Sequence, residues 1–157
     1  MIQEKTVADS RTEQVHILFP SDSNGRYRLF GGKLMEWIDV VAAVVARRHA
    51  QTEVTTATVD SLRFEAPAYV NNTIILVGRL TYVGNTSMEV RVDTYLEALD
   101  GVRERINTAF LVMVSIDQDE KPVRVPRLRL VSDEERTEWA AAERRNALRR
   151  QRRHEQY

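Results

Sequence analysis

The chain of 157 residues contains no cysteine, which excludes disulfide bonds and thiolate metal sites and fits a reducing compartment. It has no excess of either charge: 23 lysine and arginine residues balance 23 aspartate and glutamate residues, so no overall field recruits polyanions or membranes. No apolar run approaches the roughly 20 residues that span a bilayer, and the first residues lack the apolar core of a signal peptide. We therefore expect a cytoplasmic protein with, at this length, one sizeable core.

Several catalytic signatures are also missing. The sequence has no G-x-S-x-G elbow, no P-loop and no G-x-G-x-x-G motif. Its three histidines, His16, His49 and His154, lie far apart, and no pair has the helical spacing of metal ligands, so we expect no metal site. We expect each histidine at the surface, with His49 as a cap near the negative end of a helix dipole.

The most informative stretch runs from Asn24 to His49. A Gly31-Gly32 pair there opens a long predicted helix, whose apolar residues recur with helical spacing on one broad face: Leu34, Met35, Ile38, Val41, Ala42, Val45 and Ala46. The opposite side is also apolar around Trp37, so both sides of the helix must be covered. Asp39 lies at the flank of the apolar face, where a carboxylate is costly to bury unless something uses it.

Beyond this helix the pattern changes to that of strands. The later runs are rich in β-branched residues or alternate between apolar and polar side chains, and turns such as Gly84-Asn85 and Asp100-Gly101 separate them. Together with an early run, they predict an antiparallel sheet of about five strands: 14–19, 54–64, 73–83, 87–96 and 105–116. We expect the polar residues 1–11 to be loose.

One long helix wrapped by such a sheet is an α+β arrangement. We assign residues 1–130 to this single domain and residues 131–157 to a charged C-terminal helical extension. One sheet face and the outer side of the long helix then remain uncovered. We therefore expect a dimer or larger assembly, in which a second copy covers both.

The C-terminal extension begins with a capping box, Ser132 to Glu135, and ends in a cluster of arginines. We expect the helix to fray past about Arg150. The arginine cluster could be a rim that attracts phosphates, or a nucleic-acid contact. We favour a third interpretation, a solvated helix end that mates with an acidic surface.

The start of the long helix and its mid-helix carboxylate, Asp39, are the candidates for chemistry. The free N–H groups at Gly31-Gly32 could hold the oxyanion that forms when a carbonyl is attacked. Asp39, about 10 Å along the axis, could activate water or attack directly, provided that substrate lies along the helix flank or a second subunit completes the site. The alternative is a plain turn and an acid paired with an arginine, and the residues alone do not decide.

Four ordered segments resemble hotdog-fold acyl-CoA thioesterases of the bacterial YciA and brain acyl-CoA hydrolase type. They run from Asn24 to Asp39, Thr55 to Pro67, Val83 to Val90 and Ala109 to Pro126, within a resemblance that spans about residues 12–130. The resemblance implies a hotdog fold, which agrees with the α+β pattern. It also implies hydrolysis of fatty acyl-CoA to free fatty acid and coenzyme A, without a further cofactor, by homodimers with interface sites that often form hexamers (trimers of dimers).

The resemblance also implies roles for individual residues. Asp39 matches the catalytic carboxylate, and Asn24 matches an asparagine of the facing subunit that positions the thioester or water. The backbone N–H groups of Gly31 and Gly32 would polarise the thioester carbonyl. Thr56 would position water or the carboxylate, although strand propensity explains a threonine there equally well.

The hairpin Gly84, Asn85, Thr86, Ser87 matches a turn that contacts coenzyme A in relatives and usually carries an arginine where this chain has Asn85. Asparagine lacks the charge and reach of a guanidinium, although the Thr86 and Ser87 hydroxyls could still donate. We therefore keep a second hypothesis, a non-catalytic hotdog module that binds acyl-CoA as a sensor or assembly element. A hydratase or dehydratase is less favoured, because those enzymes generally use a histidine and none lies beside Asp39.

Overall fold

The computed structural model describes residues 3–156. The chain begins with β1 (Glu4–Thr6), the single helical turn α1 (Val7–Ser10), β2 (Thr12–Ile17) and a 3₁₀ turn (Pro20–Asp22). The long helix α2 (Gly31–Ala50) follows, and then the strands β3 (Glu53–Phe64), β4 (Thr73–Val83), β5 (Ser87–Glu97) and β6 (Arg103–Ile116). The short strand β7 (Arg127–Arg129) and the helix α3 (Asp133–His154) complete the structure.

Five strands form one antiparallel sheet in the order β2-β4-β5-β6-β3, which confirms the predicted α+β arrangement. A parallel pair of β1 and β7 lies outside this sheet. The expectation that residues 1–11 are loose is wrong for the described residues 3–11. Pairing with β7 and the burial of Val7 hold this segment in place.

The helix α2 packs against the inner face of the sheet. Gly78 on β4 permits a close approach, since a Cβ there would lie 2.6 Å from Cγ1 of Val41 and 3.0 Å from Cγ2 of Val45. Trp37 is buried and stacks on His16, with ring centroids 4.0 Å apart. Met35, which we expected in the core, is instead 44% exposed. The first half of α2 is thus rotated so that Trp37, rather than Met35, faces the sheet. There the indole stacks on His16 of β2.

His49 lies fully buried at the C-terminal end of α2. Its Nε2 is 2.8 Å from the carbonyl oxygen of Pro126. Burial lowers the pKa of His49 below its ordinary value of 6.5, against the opposing effect of this hydrogen bond. The expectation of a surface cap is therefore wrong, because the segment around Pro126 covers the helix end.

The helix α3 packs on the outer face of the sheet. Glu89 of β5 is 2% exposed and accepts hydrogen bonds from Thr81, Arg145 and Arg149. Arg149 also lies 3.3 Å from a carboxylate oxygen of Asp60 on β3. Arg145, Arg149 and Arg152 of the cluster therefore pair with acidic groups, as we favoured, although Arg145 and Arg149 are largely buried rather than solvated. The chain's own helix thus covers part of this sheet face, and coverage of the remainder by a second copy stays a prediction.

Both ends of α3 are anchored. The backbone N–H of Glu135 donates to Oγ of Ser132 at 3.1 Å, which confirms the predicted cap. The helix continues to His154, so the expected fraying past Arg150 is wrong. Near that end Arg152 lies 3.7 Å from Asp60.

None of the helices in residues 3–156 is long and apolar enough to cross a membrane. The division of the chain at residue 130 stays a prediction.

Replacing Glu89 with glutamine keeps the side-chain shape but removes the charge that faces Arg145 and Arg149. Breaking a buried ion pair leaves uncompensated charge, so we expect Glu89→Gln to lower the free energy of unfolding by about 3 kcal/mol. Arg152→Gln is the control, because its side chain is 54% exposed and a surface pair is worth at most about 1 kcal/mol. Urea unfolding measures both. A Glu89 variant as stable as the wild type would contradict this role.

The same variant has an expected pH dependence. Burial raises the pKa of Glu89, but hydrogen bonds from Arg145, Thr81 and Arg149 lower it more, so the pKa lies below its ordinary value of 4.5. A lowered pKa gives stability that is present above the unfolded value and is lost as pH falls through the folded value. The stability difference between wild type and Glu89→Gln should therefore be constant near neutral pH and shrink below pH 4.5.

Candidate active site

Asp39 lies on the flank of α2 beside the first half of β3. Its Oδ1 accepts a hydrogen bond from Oγ1 of Thr56 at 2.7 Å. Within residues 3–156 no lysine or arginine forms an ion pair with Asp39. Among these residues, Asp39 therefore lacks the arginine partner that we expect for a purely structural acid. Thr56 contacts the carboxylate directly, which strand propensity alone does not require.

A cavity of about 310 Å³ lies beside Asp39. Gly32, Glu36, Asp39 and Thr56 line it, and the remaining wall is apolar: Met35, Ile38, Val59, Leu62 and Leu111. It extends from the start of α2 to Asp39, which is about 10 Å of helix. The carboxylate therefore opens into a space that suits an apolar chain lying along the helix flank.

The start of α2 leaves backbone donors without acceptors. The N–H groups of Lys33 and Leu34 donate to the carbonyl oxygen of Phe30, whereas those of Gly31 and Gly32 have no acceptor in the described part of the chain. The first turn carries no acidic residue, so nothing there compensates the positive end of the helix dipole. Two adjacent N–H groups in this position can hold an oxyanion.

Asn24 lies in the exposed loop before α2, and its side chain is held by that loop. Its Oδ1 accepts hydrogen bonds from the backbone N–H groups of Arg26 at 2.9 Å and Arg28 at 3.3 Å. The amide Nδ2 is thereby left to donate elsewhere. Asn24 and Gly31 line a separate cavity of about 360 Å³ that does not include Asp39. A single chain thus groups Asn24 with Gly31, and Asp39 with Thr56 and Gly32.

The hairpin between β4 and β5, which contains Gly84, Asn85, Thr86 and Ser87, lies at the same end of the sheet as Thr56. Through the register of three strands, Thr56 pairs with Met113, and Met113 pairs with Met88, next to Ser87. Two strand spacings, about 10 Å, therefore separate Thr56 from the start of β5. The hairpin does not line the cavity that holds Asp39.

Sequence reasoning missed the apolar wall of the cavity on β3. Val59 and Leu62 line the same cavity as Thr56, although in a regular strand residues three apart point to opposite faces. The register of β3 shifts on both sides of Val59, and such bulges re-aim side chains. These bulges carry no clear sequence signal. Met35, in contrast, could have been found, because it precedes Asp39 by one helical turn.

Comparison with known proteins agrees with this fold. Residues 28–100 match the model of the thioesterase superfamily. The uncharacterised acyl-CoA thioester hydrolase YkhA of Bacillus subtilis is 39% identical over 150 residues, which are 94% of this chain and 87% of YkhA. An acyl-CoA hydrolase of Staphylococcus aureus, solved with butyryl coenzyme A and coenzyme A, superposes with a TM-score of 0.92 at 31% identity. The match covers 98% of this chain and 94% of that hydrolase.

A second solved structure is that of a hexameric acyl-CoA thioesterase in its apo form. It superposes with a TM-score of 0.91 at 38% identity, and the match covers 96% of this chain and 97% of that thioesterase. The α+β fold is thus that of a hotdog thioesterase. The chain belongs to the thioesterase superfamily, among its acyl-CoA thioester hydrolases. The resemblance inferred from the four sequence segments is confirmed.

Proposed function

We propose that the protein hydrolyses fatty acyl-CoA to free fatty acid and coenzyme A. The observation that carries this proposal is the Asp39 carboxylate, which is held by Thr56 and opens into an apolar cavity without a basic partner among residues 3–156. Hydrolysis consumes only water, so we propose no cofactor beyond the coenzyme A of the substrate. A cytoplasmic location stays part of the proposal.

Asp39 can act in either of two ways. As a base it takes a proton from water, the water oxygen attacks the thioester carbon, the C–S bond breaks, and the proton passes to the leaving thiolate. As a nucleophile its oxygen attacks the thioester carbon, the C–S bond breaks and the thiolate leaves. Water then hydrolyses the resulting anhydride to the free acid and the Asp39 carboxylate, and the proton released passes to the thiolate. In both routes the bond from Thr56 orients Oδ1 and leaves Oδ2 to react.

The spacing along α2 favours a site shared by two subunits. A carbonyl held at Gly31 and Gly32 lies about 10 Å from Asp39 of the same helix, which exceeds the reach of a hydrogen bond or one bridging water. We infer that Asn24, Gly31 and Gly32 of one subunit bind the thioester carbonyl. Asp39 and Thr56 of the facing subunit then supply the reactive carboxylate.

The edge strand β3 offers a surface for the second subunit. It is 12 residues long, lies at the end of the sheet and exposes most of its residues. Val59 and Phe64 on β3, with Met35 and Val40 on α2, are between 42% and 46% exposed. A two-fold pairing of edge strands would bury these side chains. The hexameric relative supports an assembly of three such dimers.

Solved variants of the Staphylococcus aureus hydrolase support a functional role for Asn24, Asp39 and Thr56. In three solved structures an asparagine, an aspartate or a threonine of that enzyme is replaced by alanine. Those three positions follow one another in the same order and at the same spacing as Asn24, Asp39 and Thr56. This agreement supports a common set of functional positions.

Replacing Asp39 with asparagine tests the proposed function directly. The amide keeps the size of the side chain but can neither accept the proton nor attack, so we expect kcat to fall about 100-fold or more. Release of the coenzyme A thiol is followed across acyl-CoA substrates of increasing chain length. Glu104→Gln, an exposed carboxylate on β6, is the matched control.

Equal hydrolysis by wild type and Asp39→Asn would show that Asp39 is not the reactive group. Tight binding of acyl-CoA by the wild type, without turnover at any chain length, would instead favour the non-catalytic module. That hypothesis keeps one observation in its favour, the exposed and uncharged Asn85 in the hairpin.

Thr56→Val removes the hydroxyl but keeps the branched shape that suits a strand. A hydrogen bond to a charged group is worth about 1.5 kcal/mol or more, so we expect kcat/KM to fall about tenfold. Thr56→Ser keeps the hydroxyl and should retain most of the activity. Thiol release by the two variants, at matched folded fraction, measures the effect. A valine variant as active as the serine variant would limit Thr56 to a structural role.

A further inference from the structure

Two cavities of one chain approach each other at the start of α2. The carboxylate cavity, of about 310 Å³, contains Asp39 and reaches the helix start at Gly32 and Leu62. The loop cavity, of about 360 Å³, lies beside the loop before α2 and reaches the helix start at Gly31 and Phe64. None of the residues that line one cavity lines the other. A wall therefore separates two spaces that neighbouring residues of α2 and β3 face.

The ring of Phe64 lies at this wall. Leu62 and Phe64 are two residues apart on β3, so their side chains point to the same face, toward α2. A Cβ added to Gly31 would lie 3.7 Å from both Cε2 and Cζ of Phe64. The ring thus rests against the backbone of the helix start, at the end of the carboxylate cavity that is remote from Asp39.

The backbone on both sides of Phe64 is held by β6. The N–H of Glu65 donates to the carbonyl oxygen of Ile106 at 2.9 Å. On the other side, the side-chain amide of Asn107 donates to the carbonyl oxygen of Arg63. The ring itself is 46% exposed. Its replacement by a smaller side chain should therefore open the wall without unpacking the core.

The length of the carboxylate cavity suits an acyl chain of medium length. From Asp39 to Gly32 the helix spans about 10 Å. An extended chain advances about 1.2 Å per bond, because three backbone bonds span about 3.6 Å in a fully extended residue. About eight carbons therefore fit between the carboxylate and the ring of Phe64.

The shared site gives a reason for such a limit. An acyl chain whose thioester lies at Asp39 of one subunit runs along that subunit's α2 toward Gly32. There it approaches the backbone donors that hold the thioester carbonyl of the other site of the dimer. A longer chain would enter the pocket of that second carbonyl, and the ring of Phe64 stands between them.

We propose that Phe64 closes the far end of the acyl-binding cavity and thereby restricts the enzyme to acyl chains of about eight carbons. The inference rests on the proposed function, because it takes acyl-CoA as the substrate. It assigns a specificity-determining residue that contacts neither Asp39 nor Thr56. Loss of the ring would join the carboxylate cavity to the loop cavity and make room for longer chains.

The test is hydrolysis of a series from butyryl-CoA to palmitoyl-CoA by wild type, Phe64→Ala, Phe64→Tyr and Leu148→Ala. The readout is the kcat/KM for dodecanoyl-CoA divided by that for octanoyl-CoA, a ratio in which differences in folded fraction cancel. We expect Phe64→Ala to raise this ratio about tenfold or more, because each further buried methylene contributes about fourfold. Phe64→Tyr keeps the ring and should keep the wild-type ratio.

Leu148→Ala is the matched control, because it also removes a half-exposed apolar side chain, at 50% exposure on α3. It should leave the ratio unchanged. An unaltered ratio in Phe64→Ala, an equal rise in either of the other variants, or a wild type that prefers palmitoyl-CoA would overturn the inference. Hydrolysis by the wild type would leave the proposed function standing in each of these cases.

A wild type that hydrolyses no thioester would contradict the proposed function, and calorimetric binding of the same series then decides the inference. Affinity should stop rising with chain length near octanoyl-CoA in the wild type and continue to rise in Phe64→Ala. Binding profiles that coincide would show that Phe64 sets no limit on chain length.

Discussion

The close contact between α2 and the sheet at Gly78 sets the geometry of the whole molecule. Because a side chain there would collide with Val41 and Val45, only a glycine lets the helix lie this deep on β4. The middle of α2 is thereby fixed. Asp39, two residues before Val41, lies where tight packing ends and the cavity beside β3 begins. The position of the Asp39 carboxylate is thus a consequence of core packing.

Two acidic residues of this protein show how surroundings separate structure from function. Glu89 is buried, and Arg145 and Arg149 compensate its charge, so it holds α3 on the sheet. Asp39 has a hydroxyl partner, Thr56, and an apolar wall instead. A carboxylate that is positioned but not neutralised is suited to chemistry rather than to cross-linking. Arg145 and Arg149 therefore pair with Glu89, whereas the residues that line the cavity beside Asp39 include no arginine.

Local patterns predict the parts of this fold that depend on local forces. The helix α2, the strand β5 and the N-cap at Ser132 all appear in the structure. The burial of His49 and the pairing of β1 with β7 depend on contacts between distant segments, which no local pattern encodes. The residues made Asp39 a candidate, and the resemblance matched it to a catalytic carboxylate. Its hydrogen bond to Thr56 and the bulged wall of the cavity depend on contacts between distant segments, which no local pattern encodes.

The central claim is that two subunits share each site, and mixed oligomers test it most directly. Asn24→Ala and Asp39→Asn chains with different tags are co-expressed, and the mixed species is isolated and assayed for thiol release. If Asn24 and Asp39 act across the interface, a mixed dimer contains one intact site beside one doubly altered site, so activity returns with the wild-type KM. If both residues act within one chain, every site carries one defect, and the mixed dimer stays as inactive as its parents.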